Sequence, residues 1–224
     1  MSYSLLLFDY DGTLCDTRAA IKYSLRRTFQ EFGYSKPVEP ALRAVVQQGL
    51  PLAATLLGLH PAGTGPLPAT WTETYRRIYR AEAEQLVRPF PGAQQVLAAA
   101  VALGCTVVVI SNKGLAILEN SLARLGLREY AALVLGDDPT ATAPLPLKPD
   151  PALFTQRIQP RFPQFTSSST LMIGDTATDL QFAQNCGIAA CWASYGFGHA
   201  AECAAFKPVH RISSLTELLP LLTQ

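Results

Sequence analysis

Short apolar runs alternate along the chain with stretches whose apolar residues recur at helical spacing. Leu5–Phe8 is a continuous apolar run, and Cys105–Ile110 is a longer, β-branched one. Apolar runs of this length are typical of strands that are buried on both faces of a sheet. The same reasoning predicts four more short strands: Ala132–Leu135, Thr170–Ile173, Ile188–Trp192 and Arg211–Ile212.

The stretch between the first strand and residue 88 has a helical pattern almost throughout. Ile21, Leu25, Phe29 and Phe32 recur at helical spacing within a predicted helix over Thr17–Phe32. Breaks rich in Gly and Pro separate three further predicted helices: Ala41–Gln48, Leu52–Leu57 and Thr70–Gln85. About seventy residues of helix after one strand is too long for an ordinary crossover and indicates a helical insertion.

From residue 92 onward, predicted helices alternate with the remaining strands. They cover Gln94–Leu103, Leu115–Leu125, Pro151–Ile158, Thr176–Asn185 and Ser214–Leu222. Gly187 suits the left-handed C-cap of the helix before it. Buried strands in alternation with helices predict an α/β protein whose parallel sheet is covered on both faces.

The composition and charge of the chain limit the classes of partner that we expect. The 224 residues are 49% hydrophobic with a net charge of +1, which is typical of a globular protein and lacks the basic excess of a nucleic-acid surface. No segment approaches the ~20 apolar residues of a membrane-spanning helix. The five cysteines are odd in number and show no C-x-x-C spacing. We therefore expect a cytoplasmic protein with reduced thiols and with no nucleic-acid or membrane partner.

Carboxylates follow the first predicted strand, in the sequence Asp9-Tyr10-Asp11-Gly12-Thr13. Two carboxylates this close repel each other unless a cation intervenes, and divalent cations favour oxygen ligands. A carboxylate can also attack phosphorus, while its neighbour supplies and removes a proton. Gly12 permits a tight turn, and Thr13 can donate to a phosphate oxygen. The alternative is a strand-end turn that is merely rich in turn-forming residues.

Two further polar segments fit a phosphate site but have ordinary alternatives. Ser111 and Asn112 follow the second predicted strand, and we expect them to open the next helix, where amide groups would add donors. Either residue alone could simply cap that helix. Lys148, which precedes Pro149, could offset carboxylate and phosphate charge, or it could be a solvated loop lysine.

Asp175 and Asp179 complete the set. Asp175 follows the predicted strand Thr170–Ile173, and Asp179 lies one helical turn later on the same face. Alone, this pair could be a helix cap with a favourable first-turn charge. Ligands of open parallel sheets bind at the carboxyl ends of the strands, where all these residues are expected. Together they supply a nucleophile, an acid, a hydroxyl, a lysine and metal ligands, which suits phosphoryl transfer.

The four motifs, in this order, resemble those of the haloacid dehalogenase superfamily, in the branch with a helical cap after the first strand. The resemblance implies a Rossmann-like core of residues 1–15 and 89–224 and a helical cap of residues 16–88. It implies Asp9 as the nucleophile and Asp11 as the general acid and base. Mg²⁺ would be held by the Asp9 carboxylate, the Asp11 backbone carbonyl and Asp175.

The remaining roles also come from the resemblance. Asp179 would support the metal site, Lys148 would orient Asp9, and Lys148 and Ser111 would hold the phosphoryl group. Gly12, Thr13 and Asn112 would help to bind the substrate. An Asp at position 11 favours phosphatases and phosphomutases over dehalogenases.

Finer features resemble phosphoglycolate phosphatases: Gly49–Leu52, the Ser-Asn-Lys form of the second motif, Lys148–Pro151 and Tyr195–Gly198. We therefore expect a Mg²⁺-dependent phosphatase for a small organic phosphate monoester, with phosphoglycolate as the best candidate substrate. It would be a monomer or a homodimer. The alternatives are a sugar phosphomutase and a non-catalytic phosphate- or metal-binding module.

Three cations of the predicted cap, Arg18, Lys22 and Arg43, could meet a substrate carboxylate. Solvated charges on helix faces are the simpler interpretation of these residues.

Overall fold

A parallel six-stranded sheet forms the centre of the protein. The structure is a computed structural model that describes residues 3–61, 67–138, 140–142 and 146–222. The sheet strands are β1 (Leu5–Phe8), β4 (Thr106–Gly114), β5 (Leu133–Asp137), β6 (Thr170–Gly174), β7 (Ala189–Ala193) and β8 (His210–Ile212). They lie in the order β5-β4-β1-β6-β7-β8, and every pairing is parallel. The α/β fold with a Rossmann-like core is thereby confirmed.

Apolar runs form these strands because both faces of the sheet are buried. Leu6 and Phe8 of β1 belong to one hydrophobic cluster, while Leu5 and Leu7 belong to another. Alternate residues of a strand point to opposite faces, so a run without polar interruptions satisfies both layers.

Helices cover the two faces. One face carries α5 (Ala93–Ala102), α6 (Leu115–Arg124) and α9 (Leu219–Leu222). The other face is covered by α7 (Ala177–Cys186) and by a π-helical turn at Phe154–Ile158. Another short helix, α8 (Ala200–Ala205), packs its Cys203 against Trp192 and was not predicted from the sequence.

The helical stretch after β1 begins and ends at a two-stranded antiparallel ribbon. In the ribbon, β2 (Cys15–Asp16) pairs with β3 (Arg88–Pro89). Between these strands lie α1 (Arg18–Glu31), α2 (Glu39–Gln48), α3 (Leu52–Leu59) and α4 (Ala69–Ile78). The ribbon falls at the predicted domain boundaries, but the division into core and cap remains a prediction.

Aromatic packing holds these helices together. Trp71 of α4 stacks on Phe32 with ring centroids 4.3 Å apart, and it meets the edge of Phe29 at 5.0 Å. Trp71 is buried, as expected of a packing residue. No helix in the described parts of the chain has both the length and the apolar character needed to cross a bilayer.

Several elements differ from their predicted form. The predicted helix over Pro151–Ile158 is a π-helical turn from Phe154 onward, and the one over Ser214–Leu222 is a 3₁₀ turn at Leu215–Leu218 followed by α9. The predicted helix over Thr70–Gln85 is α-helical only to Ile78, and a π-helical turn at Tyr79–Ala83 follows. Ser111 and Asn112 do not open a helix, because β4 continues to Gly114 and α6 begins at Leu115. The strand is longer than expected because Gly114 pairs with Asp137 of β5 beyond an irregularity in the register.

Candidate active site

The predicted site residues converge at the carboxyl edge of the sheet. Asp9 and Asp175 follow the adjacent strands β1 and β6, and Ser111 lies near the end of β4 on the other side of β1. The loop before the π turn at Phe154–Ile158 brings Lys148 to the same place. All four side chains are buried. Because this many polar groups are buried, they must form hydrogen bonds and ion pairs with one another or with neighbouring groups.

Lys148 is the centre of the buried hydrogen-bond network. Its Nζ lies 2.6 Å from Oδ1 of Asp9 and 2.7 Å from Oδ1 of Asp179, and it donates to the carbonyl of Ile110 at 3.1 Å. Burial alone lowers the pKa of this ammonium, but Asp179 and Asp9 raise it by more, and the net pKa shift is upward. Lys148 is therefore a fixed positive charge beside Asp9.

Asn112 fixes the backbone that carries this lysine. Its Oδ1 accepts a hydrogen bond from the amide of Lys148 at 2.9 Å, and its Nδ2 donates to the Lys148 carbonyl at 3.0 Å. The same Nδ2 reaches the carbonyl of Gly49, in the turn between α2 and α3, at 3.4 Å. With these contacts the Asn112 side chain positions Lys148.

Asp175 is fully buried and is held from two sides. Thr13 donates its hydroxyl to Oδ1 at 3.0 Å, and the amide of Phe197 donates to Oδ2 at 2.6 Å. Gly12 has a φ of +91°, and a Cβ there would lie 2.3 Å from Oδ2 of Asp175. Burial and the charge of Asp179 raise the pKa of Asp175 to about 7, against the lowering effect of its hydrogen bonds.

Asp179 is engaged by the start of its own helix. Its Oδ2 accepts hydrogen bonds from the amide of Thr176 at 3.0 Å and from the Thr176 hydroxyl at 2.8 Å, which forms a capping box. With Oδ1 bound to Lys148, both oxygens are occupied. This arrangement fits a supporting carboxylate that fixes the lysine.

The donor set suits a hard divalent cation. Oxygen atoms of Asp9, Asp175 and Asp179 all lie within 4.8 Å of one another. When all three carboxylates are ionised, they and the ammonium of Lys148 leave an excess of two negative charges in a buried space. Burial is also the main reason why the pKa of Asp9 lies well above its usual value. A divalent cation would remove this excess charge, and oxygen ligands of this type fit Mg²⁺.

Asp11 lies apart from that carboxylate cluster and is paired with the ammonium group of a different lysine, Lys113. Its Oδ1 accepts a hydrogen bond from Nζ of Lys113 at 3.0 Å. The same ammonium lies 4.0 Å from the ring centroid of Tyr79, in the turn after α4. The sequence pattern did not indicate a role for Lys113 or Tyr79. The adjacent Ser-Asn motif could have drawn attention to Lys113, whereas Tyr79 had no local signal.

A cavity joins the carboxyl edge of the sheet to the helices between β2 and β3. Of the predicted site residues, Asp9, Asp11, Ser111, Asn112, Lys148 and Asp179 line it. Gly12, Thr13 and Asp175 do not contribute to its lining among the described residues. The opposite wall is largely apolar, with Val45, Val46, Leu50 and Leu52 among its members. Arg76 and Phe197 also line the cavity. Neither was predicted as a site residue, although Phe197 belongs to the Tyr195–Gly198 feature named above.

Comparisons with known proteins identify the family of the chain. The family model described as haloacid dehalogenase-like hydrolase matches residues 6–193. A phosphoglycolate phosphatase of Vibrio parahaemolyticus is 27% identical, with 97% of this chain and 95% of the relative covered. One from Pseudomonas savastanoi is 29% identical, with 96% of this chain and 78% of the relative covered.

Solved structures show the same fold. A crystal structure described as a predicted phosphatase of Clostridium acetobutylicum superposes with a TM-score of 0.84 at 20% identity, covering 100% of this chain and 99% of the other. One described as a predicted phosphoglycolate phosphatase of Haemophilus somnus gives 0.82 at 21% identity, covering 100% and 99%. Since the family match spans most of the sequence and all four motifs meet at one site, the chain belongs to the haloacid dehalogenase-like hydrolase family, as a phosphoric monoester hydrolase similar to the phosphoglycolate phosphatases.

Proposed function

We propose that this protein is a Mg²⁺-dependent phosphatase of small organic phosphate monoesters, that Asp9 is its nucleophile, and that phosphoglycolate is its substrate. The observation that carries the proposal is the pairing of Asp9 with Lys148 beside the buried Asp175. One oxygen of Asp9 is held by the lysine at 2.6 Å, and the side chain lines the cavity. A carboxylate that is fixed in this way is ready for attack on a bound phosphoryl group.

In the first step, an oxygen of Asp9 attacks phosphorus and the bond from phosphorus to the ester oxygen breaks. Asp11, which lines the same cavity, gives a proton to the departing alkoxide. Lys148 and the hydroxyl of Ser111 stabilise negative charge on the phosphoryl oxygens. The products are the free alcohol and an aspartyl-phosphate on Asp9.

In the second step, water attacks the phosphorus of the aspartyl-phosphate. Asp11 takes the proton that this water loses, and the bond between phosphorus and Asp9 breaks. Inorganic phosphate is released, Asp9 is a carboxylate again, and Asp11 is protonated for the next cycle. Lys113 holds Asp11 at the cavity wall through its 3.0 Å contact.

Three groups would hold the cation: the carboxylates of Asp9 and Asp175 and the backbone carbonyl of Asp11. When bound, Mg²⁺ supplies positive charge against the nucleophile and the phosphoryl oxygens, so that two anions can approach each other. Thr13 and the amide of Phe197 orient Asp175 for this role.

We further propose that residues 16–88 act as a cap. Their helices supply the apolar wall of the cavity, and the carbonyl of Gly49 meets the core residue Asn112. A wall on a separate element can exclude water during the reaction and shape the space for the alcohol part of the ester. The phosphoglycolate phosphatases among the relatives support that compound as the substrate.

The test is the release of inorganic phosphate from a panel of monoesters that includes phosphoglycolate, with Mg²⁺ or with EDTA. We expect release that depends on Mg²⁺, is fastest with phosphoglycolate, and is abolished in Asp9→Asn. Glu129→Gln is the matched control, because Glu129 is exposed and lies outside the cavity lining. After an acid quench with ³²P-labelled ester, wild-type protein should retain label and Asp9→Asn should not.

Two results would overturn the proposal. Isomerisation of a sugar phosphate without net phosphate release would indicate a phosphomutase. Binding of Mg²⁺ by folded protein without turnover of any ester would indicate a binding module.

A further inference from the structure

We propose that Arg76 binds a second anionic group of the substrate, a carboxylate on the alcohol side of the ester. The inference rests on the proposed phosphatase function and extends it, because it selects a class of monoesters. These are esters whose alcohol carries a carboxylate within one or two carbons of the phosphate oxygen.

Arg76 is placed at the wall of the cavity by α4. Arg76 lies in the last turn of α4, and its neighbour Tyr75 and also Tyr79, one turn later, line the cavity with it. The arginine side chain is 21% exposed, which is consistent with a group at a cavity wall. The helix changes to the wider π form three residues after Arg76, at Tyr79–Ala83, and such turns are frequent at functional sites.

Arg76 differs from the two lysines of the cavity in the location of its acidic partner. Lys148 is paired with Asp9 and Asp179, and Lys113 with Asp11, and all of these residues line the cavity. The partner of Arg76 is Asp137, at 2.5 Å, which is not among the lining residues.

Because Asp137 lies outside the cavity lining, the guanidinium of Arg76 leaves positive charge at the cavity wall. The Asp137 side chain is 31% exposed, so solvent screens its charge more than that of a buried carboxylate. The contact with Asp137 uses one Nη of the guanidinium. A guanidinium has five N–H donors, and a carboxylate can be bound by two of them in parallel.

The end of β4 sets the distance between this charge and the reacting centre. Ser111 is at the phosphoryl end of the cavity, and three residues later Gly114 lies beside Arg76. A Cβ on Gly114 would be 3.5 Å from Nε of the arginine. Since a register irregularity lies between Ile110 and Gly114, these three residues span at most the about 10 Å of a regular extended strand. The long arginine side chain shortens the remaining gap, so the arrangement fits a short acid rather than a long or bulky alcohol.

Other cations of the helical segment fit this role less well. Lys22 is ion-paired with Glu39, and Arg18 lies over the ring of Phe197 with an exposed side chain. Neither lines the cavity, and Arg43 does not line it either. The remaining alternative is a purely structural role for Arg76. Through Asp137 it joins α4 to the end of β5, and it could serve only as a link between these two elements.

The experiment measures kcat/KM for phosphoglycolate and for ethyl phosphate, in which a methyl group replaces the carboxylate. In Arg76→Met, we expect the ratio of the two kcat/KM values to fall by about 10- to 100-fold from the wild-type ratio, mainly through KM for phosphoglycolate. Comparison of ratios cancels the different leaving groups of the two esters. Arg77→Met is the control, since Arg77 is exposed and pairs with Glu31 on the outer surface, and its ratio should match the wild type.

Asp137→Asn separates the rival interpretations. It removes the ion pair but keeps Arg76, so the preference for phosphoglycolate should be retained. A loss of preference equal to that in Arg76→Met would show that the ion pair is structural and would overturn the inference. An equal fall in kcat/KM for both esters in Arg76→Met would also overturn it. If wild-type protein hydrolyses neither ester, the proposed function itself fails, which is a distinguishable result.

Discussion

The ammonium of Lys148 lies 2.6 Å from Oδ1 of Asp9, although 139 residues separate the two in the chain. This pair is almost fully buried, with side-chain exposures of 2% and 8%. Two distant loops meet there because β1 and β4 are neighbours in the sheet and because Asn112 of β4 binds the backbone of Lys148. The fold thus sets the nucleophile beside a fixed positive charge before any substrate arrives.

Replacement of that lysine should reduce both activity and stability. Lys148→Met leaves Asp9 and Asp179 buried without their cation, which costs about 3–5 kcal/mol in the free energy of unfolding. Loss of one stabilising charge should lower kcat by about 10²–10³-fold. Urea unfolding in EDTA and phosphate release with Mg²⁺ measure the two effects. Lys36→Met, at an exposed position, should change neither.

The stability loss in Lys148→Met should depend on pH. Burial already raises the pKa of Asp9, and Lys148 opposes that shift, so removal of the lysine raises this pKa further. A carboxyl group with a raised folded-state pKa destabilises the protein at high pH, where it must ionise, and does so less as pH falls and it binds a proton. We therefore expect a smaller loss at pH 5 than at pH 8. A loss that is equal at both values would contradict this electrostatic explanation.

Mg²⁺ should stabilise the wild-type protein against heat. Asp9 and Asp175 repel each other in a buried space, and a cation that binds only the folded state adds about 2.7 kcal/mol at a hundred times its Kd. The Tm should rise with added Mg²⁺ and return with EDTA. Asp175→Asn should abolish the response, and Glu129→Gln, at an exposed position, should keep it. An equal Tm increase in wild type and Asp175→Asn would place the cation elsewhere.

Site residues were predictable from the sequence where a carboxylate directly follows a predicted strand. Asp9 and Asp175 each follow a short apolar run, and parallel strands bring their carboxyl ends to one edge. The contacts from the helical segment were not predictable in the same way. Arg76 and Tyr79 belong to an amphipathic helix pattern that is equally typical of packing, and only the tertiary structure shows which of its residues face the cavity. The extension of β4 through Ser111 to Gly114 was missed because its partner, Asp137, lies beyond a register irregularity.

The cysteines should react slowly in the native protein. Burial is the main cause that raises the pKa of four thiols to about 12, those of Cys15, Cys186, Cys191 and Cys203. Burial also raises the pKa of Cys105. Disulfide exchange requires the thiolate, which is scarce at pH 8 when the pKa is 12. Titration with a disulfide reagent at pH 8 should therefore be slow in buffer and should reach five thiols rapidly in urea. A rapidly reacting native thiol would contradict this assignment.

Gly12 offers a test of how closely the first motif packs against the metal ligand. Its φ of +91° disfavours any side chain, and a Cβ there would lie 2.3 Å from Oδ2 of Asp175, well inside contact distance. Gly104 has a similar φ of +81° but nothing within 4 Å of a Cβ, so Gly104→Ala measures the backbone effect alone, about 1–2 kcal/mol. Gly12→Ala should lose more stability than this control, because Asp175 or the turn must also move. It should also lose the Tm response to Mg²⁺ and most of the activity, whereas Gly104→Ala retains both. Equal stability losses, with the Mg²⁺ response intact in both variants, would mean that the loop relaxes around a methyl group and that close packing at Gly12 does not position Asp175.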